Sequence, residues 1–375
     1  MKPTACFTGL LLCILAWTPP CAAEGLRLVG DLRSEYAGLE RRDHDGSRRY
    51  SEELRARVRL GFEASFDPRW SARVRAAGRW SSAASGSEFF VRSHAPTPSG
   101  LAPNQATLDE FNLAYRGEAF SLRFGRLQTK VDLPDLMAKS LSRKDSPSTE
   151  ISWTDGLELR FGRGDWQQQL ILQHNARAGT SNVQRPPLNF SGAGSRVSYV
   201  YGVESTRPWG PLTLRGLHLS YLPNALAPQG AAAAAREDYL ALNLRAAAVF
   251  PREQGGRFML AGEIGQALHT PTRSSLRLGD GGEVGGAALQ LSANWLDLRP
   301  GHDLALVYGR AEAGWLLSPD FVPNMYLQEL RYQWSLDKHS AIEFRLRRRE
   351  DLVERSDRPF TRIDRDFYLR YTYKL

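Results

Sequence analysis

From residue 26 onward the chain repeats one pattern: apolar and polar side chains alternate one for one over short segments, then break. Leu54, Ala56, Val58, Leu60 and Phe62 alternate with Arg55, Arg57, Arg59 and Gly61. Trp70, Ala72, Val74, Ala76 and Trp80 alternate with Ser71, Arg73, Arg75, Ala77 and Arg79. A period of two is that of a strand with one apolar and one polar face, and no helix presents it. The fold class expected is all-β. About sixteen such segments are read by strand and turn signals. They span 26–37, 51–64, 69–81, 108–116, 119–127, 155–162, 165–177, 196–206, 211–221, 236–250, 257–268, 283–297, 302–315, 324–336, 339–350 and 364–375. The irregular 165–177, 211–221 and 302–315 leave fourteen or eighteen open. In 211–221, Leu212 and Leu214 are out of phase with Leu217, Leu219 and Tyr221, which a bulge near Gly216 reconciles.

The connections decide between a soluble sandwich and a closed barrel. Short ones (65–68, 117–118, 163–164, 207–210, 251–256, 298–301, 337–338) alternate with long ones, including 38–50, 82–107, 128–154, 178–195 and 351–363. Loop length that follows strand parity marks two different sides, as in outer-membrane barrels with short periplasmic turns and long outer loops. Aromatics stand near every short turn: Phe66, Trp70, Phe120, Trp166, Trp209, Phe250, Phe258, Trp295 and Trp334. Amphipathic rings prefer a membrane interface. Inside a bilayer each backbone polar group needs a partner, so such a sheet must close. The expectation is a transmembrane antiparallel up-and-down β-barrel. A mean hydropathy of -0.41 argues against a helical membrane protein and is compatible with a barrel, whose lumen face is wet.

Residues 1–23 read as a cleaved secretory signal: Lys2, an apolar run from Cys6 to Trp17, then small residues at Cys21-Ala22-Ala23. A lipoprotein signal fits less well, because Leu12 precedes Cys13 and Pro20 precedes Cys21. All 3 cysteines lie in this segment, so the barrel, residues 24–375, carries no thiol and no disulfide. Removing Lys2 lowers the net charge from +8 to +7.

The chain ends on Phe367, Leu369, Tyr371, Tyr373 and Leu375, alternating with Tyr368, Arg370, Thr372 and Lys374. With this strand the mature chain resembles Gram-negative outer-membrane porins of the sixteen-stranded type, with a distant likeness to alginate-export and phosphate-selective porins. The resemblance implies the outer membrane of a Gram-negative bacterium. It also implies a C-terminal strand read by the barrel-assembly machinery, contact with outer-membrane lipid and lipopolysaccharide, and an assembly that can be a homotrimer. Leu375 departs from the aromatic usual at that end.

Function is expected on the polar face. Arg55, Arg57, Arg59, Arg73, Arg75 and Arg79 point inward from the second and third segments. Arg345, Arg347, Arg349 and Arg370 do so from the last two, and Arg27 and Arg33 from the first. Barrel closure makes these segments neighbours and forms an arginine wall, only partly balanced by Asp31, Glu35, Glu63 and Glu343. Charged rows set ion preference in wide pores, and guanidinium is charged at every physiological pH. In the resembling porins an arginine ladder faces acids on an infolded third loop. The third long connection, 128–154, is the constriction-loop candidate, with Asp132, Asp135 and Lys139 as its site residues. Arg348 points toward lipid and is placed at the outer rim, against lipid phosphates.

The expected function is a passive diffusion channel for small hydrophilic solutes with anion preference. The alternative is a barrel scaffold, or an export channel for an acidic polymer or periplasmic partner. An enzyme is not expected. No phosphate loop or metal motif is present, the 7 His are scattered singly, and His218 with Ser220 lacks a third catalytic member. No cofactor is expected. Nucleic acid is excluded as a partner by the export signal.

Overall fold

The computed structural model describes residues 25–89, 101–131, 133, 139–175, 187–188, 190, 196–226, 236–251, 255–318 and 320–375. Residues 1–23, read from the sequence as a signal, and the alanine run 231–235 lie outside them.

Sixteen antiparallel strands close into a barrel. They are β1 (Leu26–Arg42), β2 (Arg48–Ser65), β3 (Trp70–Ser81), β4 (Gln105–Arg116), β5 (Phe120–Leu127), β6 (Thr154–Arg163), β7 (Trp166–His174) and β8 (Val197–Ser205). The other half is β9 (Leu212–Leu226), β10 (Glu237–Pro251), β11 (Arg257–Ala267), β12 (Ala287–Arg299), β13 (His302–Ala311), β14 (Met325–Ser335), β15 (Ser340–Asp351) and β16 (Ile363–Lys374). Each strand pairs with its sequence neighbours, and β16 closes on β1 from Asp31↔Lys374 to Arg42↔Ile363. A two-residue strand, Glu88–Phe89, adds parallel to β4 within the second long loop.

The alternation sorts the side chains. Outward positions stay exposed though apolar: Val58 39%, Phe62 54%, Leu346 45% and Leu369 51%. In water such a patch would drive association; it has the pattern of the outward apolar band that membrane barrels present to lipid. The short-turn end carries ring contacts. Trp70 meets Tyr115 at 4.9 Å, Phe258 meets Trp295 at 5.2 Å, and His302 stacks on Trp334 at 5.5 Å. Two-residue turns here need the left-handed backbone that glycine takes without strain, as at Gly164 (φ 61°).

Two expectations are corrected. The first long connection, read as 38–50, is only 43–47, because β1 and β2 remain paired to Arg42↔Arg48. The phase change in β9 lies at Thr213, between the pairs Leu212↔Ala248 and Leu214↔Ala247, and not near Gly216. Leu214 therefore turns inward, where it is buried with Leu133, Ala247, Met259, Ala261 and Leu296.

That cluster belongs to an apolar packing inside the barrel. On the β9–β14 side, loop residues Leu141, Leu188, Phe190, Trp315, Leu316 and Phe321 bury against Tyr239, Val307 and Leu327. Gly265 and Gly309 make room, since a Cβ there would run into the rings of Trp315 and Phe321. Interior rings packed against bare backbone fix where the loops sit.

Candidate functional site

The remaining lumen, on the β14–β16 and β1–β8 side, is a cavity of about 1690 Å³. It runs from Asp67 and Lys338 at the short-turn end to Arg55 and Arg349 toward the long-loop end. Arg55, Arg59, Arg73, Arg75, Arg79, Arg345, Arg347, Arg349 and Arg370 all line it.

Arg57 does not, which corrects the sequence expectation. It is fully buried, donating to Asp31 Oδ1 (2.7 Å) and to the carbonyls of Ser146 (2.8 Å) and Glu150 (3.3 Å). The third long loop lies across it. Arg57 is a wall-to-loop anchor, and Arg57→Ala removes three acceptors' partner at once. Asp31 keeps Arg59 (2.6 Å), so the expected loss is about 2–3 kcal/mol, below that of a fully orphaned buried charge. Urea unfolding from vesicles measures it.

The wall is far more ion-paired than its sequence suggested. Arg75 holds Asp109 (2.7 Å) and Glu110 (2.9 Å). Asp366 takes Arg345 (2.6 Å) and Arg347 (2.9 Å), and Asp364 takes Arg349 (3.2 Å). Glu343 takes Arg370 (2.7 Å), Arg55 reaches Glu35 (3.3 Å), and Arg73 binds Glu63. Asp109, Glu110, Asp364 and Asp366 were absent from the expected set. The last two share the inward parity of Arg370, so that signal was present. Asp109 follows no parity. Arg75 pairs with Glu110 and Ala76 with Leu108, so Asp109 is the extra residue of a bulge. Two successive acids thereby both turn inward.

Side-chain length then decides what the lumen presents. Asp109 and Asp364 are 0% exposed, Glu110 1%. Short carboxylates stay against the wall, and long guanidiniums reach over them. The cavity lining consequently holds nineteen Arg and Lys against eleven Asp and Glu.

The third long loop, 128–153, reaches both sides of the barrel interior. On one side Arg33 donates to the Ser148 carbonyl (2.7 Å), and Ser148 Oγ donates to Glu35 (2.6 Å). On the other, Asn243 donates to Ser142 Oγ (2.6 Å) and the Leu141 amide donates to Glu263. Trp315 Nε1 donates to the Leu141 carbonyl (2.9 Å). At the β6 root, the Arg126 guanidinium stacks on Trp153 at 4.1 Å and pairs with Asp155 at 2.7 Å.

Asp132 and Asp135 lie outside the described residues. Lys139, expected on the passage, is instead buried between Asp320 and Glu329, each at 3.2 Å. Desolvation outweighs those carboxylates and lowers its pKa to about 8. The loop charges that do line the cavity include Lys130, Lys144 and Glu150.

Asp145 is buried at the loop's base, accepting from the Thr129 amide, Thr129 Oγ1 (3.1 Å) and Thr154 Oγ1 (3.2 Å). Burial dominates and raises its pKa to about 6, against the pull of Arg143 and these hydrogen bonds. The folded state thus holds the proton more tightly than the unfolded one. Its stabilising contribution is full below about 3.8 and is lost as pH rises through about 6, worth about 3 kcal/mol by linkage. The expected result is a higher thermal midpoint at pH 4.5 relative to pH 7.5 in the wild type than in Asp145→Asn, which removes this part of the difference.

Opposite the arginine wall, Gln167 and Gln169 share the lining with Arg123, Glu158 and Arg160. His218 hydrogen-bonds Glu204 at 2.8 Å, and Arg245 lies 3.2 Å from the same carboxylate. These carboxylates were not in the sequence expectation either.

A closed sixteen-stranded barrel, an apolar outside, a charged lumen and an inward loop define the outer-membrane porin fold. The solved structures agree with it. OprB of Pseudomonas putida superposes with a TM-score of 0.59 at 12% identity, over 94% of both chains. An anion-selective porin from Comamonas acidovorans gives 0.57 at 12% identity, over 93% of this chain and 99% of that one. The outer-membrane channel DcaP of Acinetobacter baumannii gives 0.55 at 11% identity, over 94% and 99%. No protein-family model and no curated protein matches the chain in sequence.

Proposed function

We propose that the protein is a passive channel of the Gram-negative outer membrane, passing small hydrophilic solutes and preferring anions. The reading is carried by the lumen lining, where cations outnumber carboxylates nineteen to eleven and three further wall carboxylates, Asp109, Asp364 and Asp366, do not reach it. A solute in the cavity meets a net excess of cationic groups. Such rows attract counter-ions and deter co-ions. Loop 128–153 acts as the constriction, held by Arg57 on one wall and by Trp315 and Asn243 on the other. The loop brings Lys130 and Lys144 to the cavity together with Asp145 and Glu150, so the excess of positive charge comes from the barrel wall. The long loops face outward from the cell and the short turns the periplasm. The chain carries no reaction of its own in this reading.

Planar-bilayer recording in a salt gradient tests it. Steady channels with a reversal potential of anion-selective sign are expected. A cation-selective sign overturns the role given to the arginines. A chain that inserts but does not conduct favours the scaffold or export reading.

A further inference from the structure

One inward position of β16 holds a residue of the wrong kind for a wet face. The outward residues of this strand include Phe367, Leu369, Tyr371 and Tyr373. Its inward residues are Asp364, Asp366, Tyr368, Arg370, Thr372 and Lys374. Among the described residues of β14–β16 and β1–β3, no inward position other than Tyr368 holds an aromatic ring. Interfacial aromatics are favoured where one end of the ring is apolar and the other wet. Tyr368 has no such setting, so its neighbours must supply another reason for it.

Those neighbours are guanidiniums. Tyr368 is 1% exposed. Arg345 stands directly opposite it on β15, with Cζ over the ring at 4.1 Å from the centroid. Arg370, the next inward residue of β16, has Cζ over the same ring at 4.9 Å. Both distances fall inside the roughly 6 Å over which a ring face attracts a cation, an attraction that strengthens as water is excluded. The phenol hydroxyl donates to Glu343, which also takes Arg370 at 2.7 Å. Arg370 then reaches across to Ser148 Oγ of the third long loop, at 3.1 Å.

The charges nearby show what the ring opposes. Arg345 is directly opposite Arg331 across the β14–β15 ladder, and Arg347 is the next inward residue on its own strand. Like charges so placed repel. Arg345 holds Asp366 at 2.6 Å and has Glu329 at 4.0 Å, while its Nε and that of Arg370 have no hydrogen-bond acceptor. A long guanidinium side chain has much rotamer freedom to lose. One carboxylate oxygen pins a single nitrogen, whereas a ring face under the guanidinium fixes its plane.

We infer that Tyr368 is a positioning residue of the lumen. Its ring fixes the planes of Arg345 and Arg370, holding the first toward the passage and the second onto the constriction loop. Tyr368 carries no charge and acts through these two cations, both of which line the cavity. Without the ring, Arg345 turns further onto Glu329 and Asp366, and the passage loses a cation to neutralisation while the total charge of the chain is unchanged. The inference rests on the reading of the protein as an anion-preferring channel.

The test uses the full mature barrel in planar bilayers under a salt gradient, with wild type, Tyr368→Leu, Tyr368→Phe and Arg345→Gln recorded side by side. Tyr368→Leu should shift the reversal potential toward zero by about half as far as Arg345→Gln, or farther. Tyr368→Phe keeps the ring and loses only the donor to Glu343, so it should restore the wild-type value. Glu343 keeps Arg370 in every tyrosine variant and is not left as an unpaired buried charge. A wild-type reversal potential in Tyr368→Leu overturns the inference. So does an equal shift in Tyr368→Phe, which would give the role to the hydroxyl. A second arm places phenylalanine with increasing ring fluorination at position 368, which weakens the ring face as a cation partner and nearly preserves its shape. A graded loss of anion preference is expected, and a flat series overturns the inference even where Tyr368→Leu fails to close the barrel. A wild type that does not conduct, or conducts without anion preference, refutes the channel reading and this inference with it. An anion-preferring wild type that is indifferent to the ring refutes this inference alone.

Discussion

A barrel carrying Arg347→Gln and Arg349→Gln is expected to lose most of its anion preference, more than two removed charges would by themselves account for. Both guanidiniums line the cavity, and both cover carboxylates. Arg347 lies 2.9 Å from Asp366, and Arg349 lies 3.2 Å from Asp364 and 3.5 Å from Asp366. Neutralising them removes two cations and also bares two acids that now face solvent only from behind them. The barrel should still close, because Asp366 keeps Arg345 at 2.6 Å, and Asp364 keeps Arg41 at 2.9 Å and Arg362. Neither carboxylate is orphaned, so the large penalty of a buried unpaired charge does not apply. Lys144→Gln is the comparison. Lys144 lines the same cavity and lies on the loop, and the carboxylate it acts on, Asp320, keeps Lys139 at 3.2 Å, so its loss removes one charge and leaves that acid paired. The reversal potential in a salt gradient should therefore move more than twice as far for the arginine pair as for Lys144. Equal shifts per charge would mean that the layering of acid behind guanidinium has no electrical consequence. The shift should shrink as salt is raised, since exposed lumen charges are screened beyond a Debye length.

What could be read from the sequence follows from how local the signal is. Strand positions came from side-chain parity, and most ends agree within a few residues. The misses sit where parity loses its apolar half. In β1 and β2 the outward positions beyond Leu39 are Glu40, Arg42, Arg48 and Tyr50, so hydropathy ends while the hydrogen-bonded ladder continues. The inward arginines were legible as a set because alternation assigns a face. Their partners were less so. Asp364 and Asp366 follow the same parity and could have been found. Asp109 could not, because a bulge is decided by pairing with β3 and not by residues within β4. The burial of Arg57 and Lys139 was beyond reach for another reason. Each depends on contacts at long sequence separation, Arg57 with Ser146 and Lys139 with Asp320. Periodicity says which way a side chain points and nothing about what later folds over it.

That loop is where the second large effect is expected. Leu127 and Thr154 are paired across β5 and β6, so the whole segment between them is an excursion from a ladder that is already closed at its root. Replacing residues 129–152 with a tight Asn-Gly turn is geometrically permitted there. The ladder hydrogen bonds of the sixteen strands do not run through the loop, so barrel closure should survive, visible as heat-dependent mobility on gels. The interior packing should not survive intact. Leu133 leaves the cluster on β9–β12, and Leu141 leaves Trp315. Glu263 loses the Leu141 amide, and Glu329 loses Lys139. Those groups regain water through a widened lumen, which limits the loss of stability, since a solvated carboxylate needs no protein partner. Conductance, by contrast, scales with the narrowest section. Removing a segment tied to both walls should raise single-channel conductance severalfold and weaken selectivity, because the remaining arginines then lie farther from the centre of the passage. An unchanged conductance would place the narrowest section elsewhere, among the loop residues 312–324 that pack beside Lys139. The same trace would then turn attention to Asp320, whose 3.2 Å bond to Lys139 joins the two loops.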